Sequence, residues 1–177
     1  KLQKKIFYKD KIFLAGSTGM VGNSILKTLL KHGYGNKAED GVIFTPNRKE
    51  LDLLDEDKVS NWFKKFKPTV VIIAAAKVGG ILANANSPYD FLVENLKIQT
   101  NIIKASFENK VRRLLFLGSS CIYPKFAEQP IKEEELLKGE LEKTNEWYAI
   151  AKIAGIKLCQ SLRVQHGFDA IALMQIG

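Results

Sequence analysis

Three pieces in fixed order near the start of the chain limit its fold most. Lys11-Ile12-Phe13-Leu14-Ala15 is a short apolar run that reads as a buried strand. Gly16-Ser17-Thr18-Gly19-Met20-Val21-Gly22 follows at once, with glycines at every third position. Asn23 to Gly33 then places Ile25, Leu26, Leu29 and Leu30 at helical spacing, with Gly33 as a stop. The glycine spacing differs from the G-x-G-x-x-G fingerprint, but its physics is similar. Small residues let the backbone approach a pyrophosphate, and the helix N-terminus supplies N–H donors and a positive partial charge. Gly16, Ser17, Thr18, Gly19, Met20, Val21 and Gly22 are therefore candidate dinucleotide-binding residues. The plainer reading is a tight turn, which strand, glycines and helix in this order disfavour.

The remaining chain alternates strand and helix. Strands are expected over 41–45, 69–74, 113–118 and 170–174, and helices over Asp55–Phe66, Pro88–Phe107 and Glu146–His166. Pro124–Asn145 is expected to be the one long irregular connection. Such alternation predicts right-handed crossovers and an α/β fold, a Rossmann-type doubly wound parallel sheet. With 177 residues and 46% hydrophobic content, one domain over 1–177 with a sizeable core is expected. No apolar run approaches a membrane span, and the basic start lacks the apolar stretch of a signal peptide. Cys121 and Cys159 are the only cysteines, which points to a reducing, cytoplasmic setting without a disulfide framework. The net charge of +8 comes without a basic stripe of interleaved aromatics, so no nucleic-acid partner is expected. It favours anionic ligands such as a nucleotide sugar, although a solvated surface explains most of the lysines. No metal site is expected.

Tyr148 and Lys152 stand four residues apart on one predicted helix, so both can face one pocket. A cation lowers a nearby phenol's pKa and makes it a usable proton donor, and Ser119 supplies a hydroxyl to hold a substrate oxygen. Such spacing also arises by chance. The glycine loop upstream gives it weight. After the second strand, the ribose-binding acid of NAD proteins is replaced by Thr45-Pro46-Asn47-Arg48-Lys49. Arg48 and Lys49 can hold a 2′-phosphate, which favours NADP(H), although both are also ordinary surface cations.

Gly16 to Gly22, Asn95, Asn101, Ser119, Tyr148 and Lys152 resemble the extended short-chain dehydrogenase/reductases. The blocks Ala74-Ala75-Ala76-Lys77-Val78-Gly79-Gly80-Ile81, Leu114 to Lys125 and Asn145 to Lys157 are similar to one family among them, the GDP-L-fucose synthases. The resemblance implies an NADPH-dependent 3,5-epimerase/4-reductase acting on a GDP-sugar, a homodimer built from the two long helices, and defined roles. Tyr148 would donate the proton, Lys152 would support it and bind ribose, Ser119 would hold the C4 oxygen, and Cys121 would be an epimerisation acid or base. Cys121 also reads as a small core residue. The resemblance further assigns Asp52, Leu53, Ala75, Ala76, Lys77, Leu117 and Gly118 to the cofactor. Two departures matter. Ser17 and Thr18 are neutral where some members carry a cation. The family's second epimerisation residue, a histidine, has no match in His32 or His166, and the substrate domain is expected to be largely absent from this chain. Two further readings stay open: a dinucleotide-binding module without catalysis, or another nucleotide-sugar epimerase/dehydratase of the extended family. An interaction protein using the two long helices as a dimer surface is a third.

Overall fold

The structure is a computed structural model that describes residues 5–77, 85–127 and 133–173. In chain order the elements are β1 (Lys11–Ala15), α1 (Met20–Lys31), β2 (Val42–Phe44), α2 (Glu56–Phe66), β3 (Val70–Ile73), α3 (Pro88–Glu108), β4 (Arg113–Leu117), α4 (Glu146–His166) and β5 (Ala170–Leu173). The strands form one sheet, ordered β2-β1-β3-β4-β5, with every pair parallel. This is the expected Rossmann-type topology. The order reverses at β1, so the crevice between β1 and β3 is the switch point where such sheets bind ligands.

Alternation along the strands divides the core. Phe13, Val71, Ile73, Leu114 and Phe116 face α2, α3 and α4, while Ile12, Leu14, Val70 and Ile72 face α1 through Leu29, Ile25 and Leu26. Both sets are buried because successive strand residues point to opposite faces. The continuous apolar run of β3 is buried along its whole length, as a strand covered on both sides requires. β4 is different: Leu114 and Phe116 are buried while Leu115 and Leu117 stay half-buried. On α2 the predicted stripe holds, with Val59 and Phe63 buried and Trp62 packed against Phe13, Phe44 and Phe66.

Element ends follow local chemistry. Asp55 caps α2 by accepting the Lys58 N–H, and the cap leaves its carboxyl below the usual range. Gly33 adopts φ 82° just past α1, and Gly167 adopts φ 62° just past α4. The first helix begins at Met20, three residues before the expected Asn23, so the last glycine of the loop lies inside its first turn. Apolar periodicity does not register this turn because Met20 is exposed and Gly22, packed against Gly16, has no side chain to read. The connection before α4 is broken by a short 3-10 turn at Glu133–Glu135. Val78, Gly79, Gly80, Ile81 and Met174 lie outside the described residues.

Candidate active site

The loops leaving β1 and β3 meet at the switch point. Gly16 has φ 85°, and a Cβ there would lie 2.6 Å from Ala75 N. A Cβ on Gly22 would lie 1.9 Å from Gly16 O. Those two glycines are demanded by the packing of the loop on itself and on β3. Gly19 is not: its nearest neighbour would be Gly16 O at 3.5 Å, an ordinary contact. The space above Gly19 is open. It is also the N-cap of α1, which has no side-chain cap and no acid in its first turn. The positive end of the helix is therefore left uncompensated by the chain and faces that space.

Two adjoining cavities of about 440 and 590 Å³ share Gly16, Thr18, Ala75, Ala76 and Ile98 and form one groove across the carboxyl ends of the strands. One end runs past Ser17 to Pro46, Arg48, Asp52, Leu53 and Lys77. The other runs past Gly19, Met20, Val21 and Gly22 to Leu117, Gly118, Ser119, Tyr148 and Lys152. Of the residues expected from the sequence to bind cofactor or act in catalysis, only Lys49 and Cys121 do not line it. Lys49 is exposed on the turn that Asn47 holds by accepting the Lys49 and Glu50 N–H groups. Glu50, the first acid after β2, accepts the Asn47 N–H at 2.8 Å and so closes the same turn. A larger hollow of about 770 Å³ lies outside β2 between Phe44, Trp62 and Phe66, and holds none of the predicted residues.

Tyr148 and Lys152 face the same end of the groove, as one helical turn requires. Their electrostatics differ from the sequence expectation. Burial pushes the Tyr148 phenol up to about 12, with Cys121 adding to the rise. Burial draws the Lys152 ammonium down to about 8, opposed by Cys121. The phenol is thus not made more acidic by its neighbour in this geometry. The reason is position: Lys152 Nζ donates to Leu117 O at 2.9 Å and stands 5.6 Å from the centre of the Tyr148 ring. Ser119 opens a 3-10 turn, Ser120–Ile122, without spending its hydroxyl on a capping bond. Cys121 lies half-buried on that turn, close enough to act on both Tyr148 and Lys152.

Sequence reading missed how α3 organises this surface. Three of its buried amides each hold a different segment of the site. Asn95 brackets Lys77, accepting its N–H at 2.8 Å and donating to its carbonyl at 3.1 Å. Gln99 donates to Ala151 O on α4 at 2.6 Å. Asn101 donates to Leu53 O at 2.9 Å. The available signal was three polar residues on the buried stripe of a helix, where unpaired amides are costly. Lys77 also pairs with Glu94 of α3 at 2.9 Å. The two histidines are remote from the groove: His32 caps α1, and His166 packs on Phe107 in the last turn of α4. Among the described residues no cluster of three or more His, Cys, Asp or Glu has metal-binding geometry, and no helix is long and apolar enough to cross a membrane.

Residues 12–175 match the NAD dependent epimerase/dehydratase family. The chain is 55% identical over 164 residues to GDP-L-fucose synthase 1 of Arabidopsis thaliana, covering 93% of this chain and 49% of that protein. It is 51% identical over 166 residues to the GDP-L-fucose synthase of Escherichia coli K12, covering 94% and 50%. Among solved structures, the GDP-mannoheptose C4 reductase MlghC of Campylobacter jejuni, with NADP bound, superposes with a TM-score of 0.88 at 38% identity, covering 96% of this chain and 52% of that one. The chain thus spans about half the length of the curated relatives it matches.

Proposed function

Because the chain belongs to the NAD dependent epimerase/dehydratase family, we propose that its groove binds NADP(H) and that the full-length protein converts GDP-4-keto-6-deoxy-D-mannose to GDP-L-fucose. One observation carries this reading: Ser119, Tyr148 and Lys152 line the same groove as the glycine loop and Arg48. The 55% identity to a protein named GDP-L-fucose synthase 1 supports the choice of sugar, and the NADP-bound C4 reductase supports the choice of cofactor. On this reading residues 1–177 are the NADP-binding domain, and the groups that grip the GDP-sugar belong largely to the rest of the protein.

The chain's own residues fit the cofactor. Gly19 leaves room for a pyrophosphate against the uncapped end of α1, and Gly16 and Gly22 keep the loop tight beneath it. Arg48 supplies a fork for a 2′-phosphate, with Lys49 beside it, and Glu50 is spent on its own turn. Asp52, Leu53, Ala75, Ala76 and Lys77 wall the nucleotide end, and Leu117 and Gly118 wall the other. NADPH supplies the hydride when bound. Tyr148 delivers the proton to the C4 oxygen, which Ser119 holds by hydrogen bonding. Lys152 stabilises the phenolate left behind and is within the groove to bind ribose. The C4 ketone acidifies the protons on C3 and C5, and Cys121 removes or returns one of them as epimerisation acid or base. Two free cysteines support a reducing, cytoplasmic setting. Exposed apolar residues on α3 and α4, Tyr89 and Val164 at 74% and 89% exposure, support a homodimer through those helices.

The test separates the two roles in the full-length protein. Tyr148→Phe should lower NADPH consumption by about 10²–10⁴-fold, the usual contribution of a positioned acid. Cys121→Ser should lose solvent deuterium incorporation at C3 and C5 while still consuming NADPH. Normal reduction by Tyr148→Phe, or wild-type exchange by Cys121→Ser, removes the corresponding role.

A further inference from the structure

Lys152 is 5% exposed, yet it carries the ammonium on which the proposed chemistry depends. One of its N–H groups is spent on Leu117 O. Beneath it lies the ring of Phe116, whose centroid is 4.8 Å from Nζ, nearer than the Tyr148 ring at 5.6 Å. Phe116 is fully buried. Phe116 and Leu117 are consecutive at the end of β4, so one strand end offers the ammonium both a carbonyl and an aromatic face. Helix α4 reaches this strand only because position 155 has no side chain: a Cβ there would stand 2.4 Å from Phe116 Cζ and 2.8 Å from Cε1. Gly155 lies one turn beyond Ala151, the residue whose carbonyl Gln99 holds from α3.

Resting on the reading of Lys152 as the partner of Tyr148, we infer that Phe116 is a positioning residue for Lys152, the floor on which its ammonium stands, and that Gly155 admits this floor. A buried ammonium loses its hydration, and the negative face of an aromatic ring restores part of that stabilisation within about 6 Å. A carboxylate in the same place would capture the ammonium. The ring leaves two N–H donors free to face the groove. Among the described residues, the titratable groups near Lys152 are Tyr148 on its own helix and Cys121 on the neighbouring 3-10 turn. β4 adds only a carbonyl and a ring, and α3 adds only the neutral amide of Gln99. Burial already draws the ammonium down to about 8, and the ring works against that loss of charge.

Titration of the protein labelled with [ε-¹³C]lysine, followed by NMR, decides the matter. The wild type should show one lysine titrating well below the rest, absent from Lys152→Met. In Phe116→Leu its midpoint should fall by about one pH unit, roughly tenfold in proton affinity. Phe63→Leu removes an equally buried ring packed on Phe13 and Trp62, and should leave the midpoint in place. Gly155→Ala alone should unfold at lower temperature. Combining it with Phe116→Leu makes room for the methyl group, so the double variant should regain thermal stability but keep the lowered midpoint. An unchanged or raised midpoint in Phe116→Leu, or in the double variant, overturns the floor. NADPH titration of the wild type is run beside it: failure to bind overturns the reading of the groove, while the lysine titration still rules on Phe116.

Discussion

Lys152 sets a pH signature that is separable from catalysis. In the unfolded chain a lysine keeps its proton to about 10.5, whereas here it releases it at about 8. Between those values the unfolded chain binds more protons, so this residue's contribution makes stability rise with pH. Below pH 8 the buried charge is a full burden. Lys152→Met should therefore be more stable than wild type at pH 7, by on the order of 1–3 kcal/mol, with the margin closing as pH climbs from about 8 to 10.5. Urea unfolding of both proteins across that range measures it. Cys159, also buried and pushed up to about 12, adds an opposite slope above pH 9 but cancels in the difference. The glycines divide in the same residue-by-residue way. Gly22→Ala should cost about 1–3 kcal/mol, because its methyl group meets the Gly16 carbonyl. Gly19→Ala should keep its melting temperature yet lose at least tenfold in NADPH affinity. Equal loss of stability in both variants would contradict this division. The glycine triplet was plain in the sequence, but which glycines serve the fold and which serve the ligand depends on Ala75 and Gly16 O, and neither contact is written in the spacing.

At the scale of elements, α3 is the member through which the site is assembled. Its amides reach the loop after β3, the segment around Leu53 and the turn of α4 that carries Lys152. Asn95→Ala should strip both backbone partners from Lys77, costing about 1–3 kcal/mol and weakening NADPH binding together. Denaturant unfolding and nucleotide titration report the two losses, and a stability loss with unchanged affinity would detach Asn95 from the groove. Helix periodicity made α2, α3 and α4 readable to within a residue or so, because long apolar stripes override local noise. The amide partners were not readable: each lies between 18 and 52 residues away in sequence. A cheaper adjustment is available at the end of α2, where Lys67 adopts φ 47° and only glycine is at ease. Lys67→Gly should raise stability by about 0.5–1 kcal/mol, seen as a higher midpoint in urea.

Across the whole molecule, the sheet brings distant segments of the chain to one groove, and cofactor choice is a property of that arrangement. Arg48→Ser should reduce NADPH affinity about tenfold or more while leaving NADH binding nearly unchanged, since only the 2′-phosphate is deprived of its partner. Equal losses for both nucleotides would place Arg48 outside the recognition of that group. Sedimentation should find a dimer at micromolar concentration, and Val164→Glu on the exposed face of α4 should shift it to monomer. The sequence by itself determined the order of strands and helices, the parallel sheet, the glycine loop and the pairing of Tyr148 with Lys152, because each rests on local periodicity or one-turn spacing. Tertiary structure alone decided the electrostatics of that pair. Lys152 donates to the Leu117 carbonyl, and burial both raises the phenol and lowers the ammonium; desolvation depends on what packs around a side chain rather than on its neighbours along the chain.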